Sequence, residues 1–270
     1  MWRNLDPYRR YRDVMSEFLS VFLLPGMSLW IAAMVFAVFF VSGIIKGFLG
    51  IGLPAAAMAF LTLMIDPRTA ISLMVLPILF TNTLQYLRAP NPRNTAREYW
   101  LFAAAIMISI FITSLYIKSF PTAMLTVAIG FAMVVFSLQL LLGVKIPVTG
   151  APLWQVGVGL FSGVLGGLSS IWSPPVAMYL LARNVEKEKF ISATGFLFLA
   201  GCLPLIGGLV LAGVVTPVSL VQSLFGLVAV LAGFRCGELL RGRVSQRLFR
   251  LAVLIAFLVM GTRLIITGLL

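Results

Sequence analysis

The stretch Ser42-Gly43-Ile44-Ile45-Lys46-Gly47-Phe48-Leu49-Gly50-Ile51-Gly52-Leu53-Pro54 places four glycines and a proline inside an otherwise apolar run. No helix crosses such a stretch unbroken: glycine is conformationally loose and proline lacks a backbone N–H. The stretch returns 120 positions later as Ser162-Gly163-Val164-Leu165-Gly166-Gly167-Leu168-Ser169-Ser170-Ile171-Trp172-Ser173-Pro174. With no gap, Ser42, Gly43, Gly47, Ile51 and Pro54 face identical residues. The match continues through Ala57, Met58, Leu61, Ile71 and Ser72, which align with Ala177, Met178, Leu181, Ile191 and Ser192. Apolar identities are cheap in a greasy chain, but coincident Ser, Gly and Pro at one offset are not. The chain therefore reads as two related halves, each broken at one place.

Composition decides the solvent. The chain is 61% hydrophobic and 10% charged, with a mean hydropathy of +1.08. No water-soluble domain of 270 residues covers that much apolar surface, so the fold class is an all-α polytopic membrane protein. In that setting the net charge of +12 marks loops and lipid headgroups. Nucleic acid is excluded as a partner, because the arginines sit in separate short loops. There is no histidine, and Cys202 and Cys236 have no metal-like spacing, so no cofactor or metal site is expected. Without a His, a buried acid or a Ser–His or Cys–His pair, an intramembrane enzyme is hard to build.

Residues 1–27 read as an interfacial segment, polar and arginine-rich to residue 13 and then briefly apolar up to Pro25-Gly26. Two membrane repeats follow, 28–150 and 151–270, of about five segments each. The first series runs near 28–49, 54–65, 69–87, 99–117 and 122–143. The second runs near 152–170, 174–183, 190–212, 218–240 and 245–268. The second segment of each series has only about 10 to 12 residues, against roughly 20 needed to cross. The first two segments therefore form a Gly/Pro-broken hairpin that turns within the membrane, where irregular backbone must be wrapped by protein or line a wet cavity. The remaining three cross an odd number of times, so the repeats are inverted. This parity gathers loops 88–98, 144–151, 183–189 and 235–250, with 12 Lys and Arg, on one face and leaves Arg68, Lys118 and Arg263 on the other. The richer face is cytoplasmic by the positive-inside rule.

The chemistry must come from the hairpins. Helices starting at Pro54 and Pro174 offer N-terminal N–H groups and positive dipole ends to an anion, with Ser173 as N-cap of the second. Gly50 and Gly52 allow close approach of backbone to a ligand. Ser169, Ser170 and Ser173 add hydroxyls, and Trp172 adds an indole N–H. Lys46 is a cation inside an apolar stretch, and Asn82 an amide inside the next segment. Each has a plainer reading: glycines as packing points, Lys46 as a snorkelling side chain, Asn82 as an interhelical hydrogen bond. For Gly43, Gly47, Gly163 and Gly167, at small-xxx-small spacing, close packing is the expected role. The eight acids all fall in tails, loops or segment ends, so none serves as a mid-membrane proton relay. A coupling ion, proton or sodium, would have to use carbonyls and hydroxyls at the broken helix ends.

The motif that closes the first segment of each half, followed by proline and a short helix, resembles that of the TauE/SafE sulfite exporter family. The first copy, Gly47-Phe48-Leu49-Gly50-Ile51-Gly52-Leu53-Pro54, fits the family pattern. The second carries Ser169-Ser170-Ile171-Trp172-Ser173 where more glycine is expected. The resemblance runs from about residue 28 to 270. It implies a multi-pass permease of the bacterial cytoplasmic membrane for a small sulfur-containing anion such as sulfite, thiosulfate or an organosulfonate. Alternating access is the expected mechanism. A passive anion channel or a non-transporting membrane scaffold remains open on the residues alone.

Overall fold

The structure is a computed structural model that describes residues 29–89, 92–143, 148, 151–240, 243 and 245–270. The interfacial segment 1–27 lies outside the described residues, as do Lys145 and Arg241 of the basic loops. All regular elements among the described residues are helical, as expected where every backbone group must pair within its own segment. In chain order they are α1 (Leu29–Leu49), α2 (Leu53–Leu61), α3 (Pro67–Leu73), α4 (Val75–Leu87), α5 (Pro92–Glu98), α6 (Trp100–Leu115) and α7 (Thr122–Leu142). Then come α8 (Pro152–Ser169), α9 (Ser173–Ala182), α10 (Lys187–Leu211), α11 (Pro217–Leu240) and α12 (Gln246–Leu269).

Five helices, α1, α7, α10, α11 and α12, are long and apolar enough to cross a membrane. The pairs α3–α4 and α5–α6 raise that to seven if each bent pair is one span, with bends of 43° and 73°. Two segments differ from the sequence reading. The segment near 69–87 breaks at Met74, and much of loop 88–98 is helical. The first difference has a local cause. Pro77 has no N–H, which strands the carbonyl of Leu73 four residues back. Ser223 on α11 repairs the break, donating to Leu73 O at 2.7 Å and accepting from Leu76 N at 3.0 Å.

Helix pairing is unchanged when the two series are exchanged. α1 packs along α11 and α8 along α6, α7 packs on α12, and α4 crosses α10. Small residues permit the close approaches. A Cβ added at Gly43 or Gly47 of α1 would overlap the backbone carbonyls of Val230 and Phe234 on α11. One at Gly163 of α8 would overlap Ser109 Oγ and meet Ile106 O at 2.8 Å. One at Gly167 would meet Thr113 Cβ at 2.6 Å. These four glycines thus pack helix against helix, as expected.

The loops that parity groups together also meet. Arg88 pairs with Glu238 at 3.3 Å and Lys189 with Glu98 at 2.7 Å, joining three of the basic loops at one end of the bundle. At the other end Arg68 donates to Phe120 O at 2.6 Å and Lys118 to Gly213 O at 3.1 Å. The helix crossings generate the first prediction. Gly47→Val and Gly163→Val should each sharply reduce the monodisperse fraction on size-exclusion in detergent, since in both cases the added side chain would meet backbone atoms of the facing helix. Gly157→Val, where no atom lies within 4 Å of a Cβ, should not.

Candidate functional site

Both hairpins break in the same way. α1 stops at Leu49, and Gly50 turns left-handed (φ 81°) while donating its N–H to Lys46 O at 2.7 Å. α8 stops at Ser169, and Ser170 turns left-handed (φ 59°) while donating its N–H to Gly166 O at 2.7 Å. Gly50 and Ser170 stand at the 120-residue offset. The first hairpin then uses a second left-handed residue, Gly52 (φ 95°), before α2. No atom lies within 4 Å of a Cβ at Gly50, and the nearest to one at Gly52 are at 3.7 Å. The need for glycine at these two positions is therefore conformational.

Seven of the nine predicted site residues, all but Gly50 and Ser169, line one narrow cavity between the two hairpins. Its volume is about 10 Å³, room for roughly one water molecule. Ile51, Leu53, Ile78 and Phe198 complete the apolar part of its wall. Gly50 lies instead on a much larger vestibule, about 1080 Å³, which opens among the basic loops beside Arg88, Arg247 and Arg250. Lys46 borders both spaces. The hydroxyl of Ser169 is engaged by its own turn, donating to Leu165 O at 2.6 Å and accepting from Ile171 N at 3.0 Å. It secures the bend while its neighbour Ser170 faces the cavity.

Lys46 is 2% exposed, and its ammonium donates to Asn82 Oδ1. The amide of Asn82 passes the contact on, Nδ2 donating to Cys202 Sγ at 3.4 Å. Asn82 thus makes the interhelical hydrogen bond of its plainer reading and lines the cavity as well. Cys202 is buried and closes this polar chain. The signal for it was available, since Cys202 stands 120 residues after Asn82 and the two meet where α4 crosses α10. Nearby, Gln85 donates to Thr194 Oγ1 at 3.1 Å. Thr194 in turn donates to Phe190 O within its own helix.

The second hairpin supplies side-chain donors. Ser170 Oγ, Trp172 Nε1 and Ser173 Oγ are all buried and have no hydrogen-bond partner among the described residues. Ser173 is the first residue of α9 and makes no capping bond, with Trp172 in the N-cap position, which corrects its expected role as N-cap. The helix start is also poorer in N–H groups than expected, because Pro174 and Pro175 both lack one. Hydroxyl and indole donors stand where backbone donors are missing. Trp172 is held by a notch of small residues. A Cβ at Gly166 would lie 2.8 Å from Trp172 Cβ, and one at Gly201 3.1 Å from Nε1. Phe198 meets the indole edge to face, with ring centroids 6.1 Å apart.

Buried polar groups normally find partners, so three orphans beside an ammonium are an arrangement that asks for acceptors. No carboxylate lines the cavity among the described residues. An oxyanion meets all these demands: it accepts from hydroxyl, indole and ammonium together, and its charge offsets that of Lys46.

Residues 35–264 match the family model described as sulfite exporter TauE/SafE. No curated protein and no solved structure matches the chain. The match covers well over half of the sequence, and the chain belongs to that family. It is thus a multi-pass membrane protein of an anion-transporter family, consistent with residence in the inner membrane.

Ser170 separates site from scaffold. A non-glycine residue in the left-handed region carries about 1–2 kcal/mol of strain, and a lost hydrogen bond to a charged ligand about 1.5–3 kcal/mol. Ser170→Gly should therefore leave thermal stability equal or higher while weakening anion binding roughly 10- to 150-fold. Thermal unfolding with and without sulfite measures both; a destabilised protein with unchanged binding would make Ser170 purely structural.

Proposed function

Taking membership of the sulfite exporter TauE/SafE family as premise, we propose that the protein carries a small sulfur-containing anion across the cytoplasmic membrane. Sulfite, thiosulfate and organosulfonates are the substrate class. The anion binds between the two broken hairpins, on Lys46, Ser170, Trp172 and Ser173, with Gly52 and Pro54 at the start of α2 on the opposite side. The observation that carries this reading is the convergence of three unpartnered buried donors with a buried ammonium on one cavity. The apolar wall of Ile78 and Phe198 suits an anion with one non-hydrogen-bonding pole, such as the sulfur lone pair of sulfite or the carbon of a sulfonate.

Transport proceeds by alternating access of two inverted repeats, 28–150 and 151–270. The exchange-symmetric pairing of the helices supports this, as does the shared turn at Gly50 and Ser170. The conformer described is open toward the basic loops, which the positive-inside rule assigns to the cytoplasm. Lys46 borders both the vestibule and the narrow cavity, and Asn82 lines the cavity. A vestibule open to one side and a cavity with room for about one water suit a carrier, since a conducting channel needs a continuous path. Movement between states widens the cavity to admit the anion. A proton or sodium coupling ion has hydroxyls and carbonyls of the broken ends as its ligands, since no acid lines the cavity among the described residues.

Proteoliposomes test the proposal. Uptake of labelled sulfite or ethanesulfonate should saturate, and Lys46→Gln should raise the half-saturating concentration or abolish uptake, a loss of roughly 10-fold or more. Lys118→Gln, at the far end of the bundle, should behave as wild type. Non-saturating flux would point to a channel. Unchanged uptake by the Lys46 variant would place the substrate elsewhere.

A further inference from the structure

We propose that Lys46 makes this protein an obligate anion exchanger, by preventing the site from reorienting while it is empty. The inference rests on the carrier reading above and extends it to the coupling rule.

Within the narrow cavity, Lys46 has neutral company only among the described residues. Its hydrogen-bond partner is the Asn82 amide, behind which stands the Cys202 thiol. The helices packed on α1 bring charged groups only at the vestibule. Arg247 and Arg250 come from α12, and Glu238 from α11. Glu238 is already engaged, 3.3 Å from Arg88 and 3.1 Å from Arg235, and Glu188 is exposed to solvent at the vestibule wall. No carboxylate lines the closed cavity among the described residues.

An alternating-access cycle passes through a state shut off from water on both sides. With an anion bound, Lys46 enters that state as half of an ion pair, further bonded through Ser170, Trp172 and Ser173. With no anion, it enters as a desolvated charge with no counter-ion and a neutral amide as its hydrogen-bond acceptor, a costly arrangement for a buried ion. The loaded site therefore turns over readily and the empty site does not. Outward movement of one anion then requires inward movement of another.

The test uses proteoliposomes loaded with labelled ethanesulfonate, with the membrane potential clamped. Efflux is followed into medium containing either unlabelled ethanesulfonate or only a bulky organic buffer anion too large for the cavity. Wild type should release label at least about 10-fold faster into the substrate-containing medium, a difference of about 1.4 kcal/mol in barrier. Lys46→Gln should lose most of this ratio, its remaining flux being as fast without external substrate. Ser170→Ala keeps the ammonium and should keep the ratio despite weaker binding; it decides the matter if Lys46→Gln carries no flux. Fast, saturable wild-type efflux into substrate-free medium would overturn the proposal while leaving the carrier reading intact. That result includes an empty return with Lys46 stripped of its proton. A full ratio in Lys46→Gln, or its loss in Ser170→Ala, would also overturn it. Absence of any saturable wild-type flux would instead remove the carrier reading beneath it.

Discussion

Hydrocarbon offers no hydrogen bonds, so a chain that breaks its helices at membrane depth must surround each break with protein. That constraint organises this molecule. The two breaks, at Gly50 to Gly52 and at Ser170 to Trp172, lie face to face across one small cavity. The long helices enclose them in pairs, α1 on α11, α6 on α8 and α7 on α12. Glycines at the crossings let these pairs approach to backbone contact, which is how apolar helices associate when lipid is as greasy as they are. A third break, at Met74, is compensated by one hydroxyl from Ser223. Packing glycines and compensating serines thus hold the frame, and a different set of polar residues remains to face the cavity.

The halves share a frame but not a chemistry. At the same relative positions, Lys46 faces Gly166, Gly50 faces Ser170, Gly52 faces Trp172 and Leu53 faces Ser173. The first half contributes charge and bare backbone. The second contributes hydroxyls, an indole and a pair of prolines that remove competing N–H groups. Trp172 packs against Gly166, so glycine where the first half has lysine makes room for the second half's own tryptophan. Where Asn82 meets Cys202, residues from equivalent positions touch, and there the polar chain to Lys46 begins.

Much of this was legible in the sequence. The 120-residue offset located both breaks, segment lengths found the short second helices, and small-xxx-small spacing picked out the packing glycines. What stayed hidden had physical reasons. Of two adjacent serines, Ser169 turns back on its own helix and Ser170 faces the cavity; that depends on which one takes the left-handed turn. The break at Met74 is read from Pro77, but its remedy lies about 150 residues away on α11. Pro175 changes the donor count of α9 without altering its hydropathic pattern. The Lys46–Asn82 contact joins two residues separately conspicuous as polar intruders, yet only the tertiary fold makes them a pair.

The central claim is that an anion sits between the two hairpins, and selenium gives the most direct view of it. Crystals grown with selenite, the selenium analogue of sulfite, should show an anomalous peak within hydrogen-bonding reach of Lys46 Nζ and Ser170 Oγ. A difference map should show the cavity widened beyond its present volume of about 10 Å³. A peak confined to the vestibule, near Arg247 and Arg250, with Lys46 still bound to Asn82 and the cavity unchanged, would contradict it.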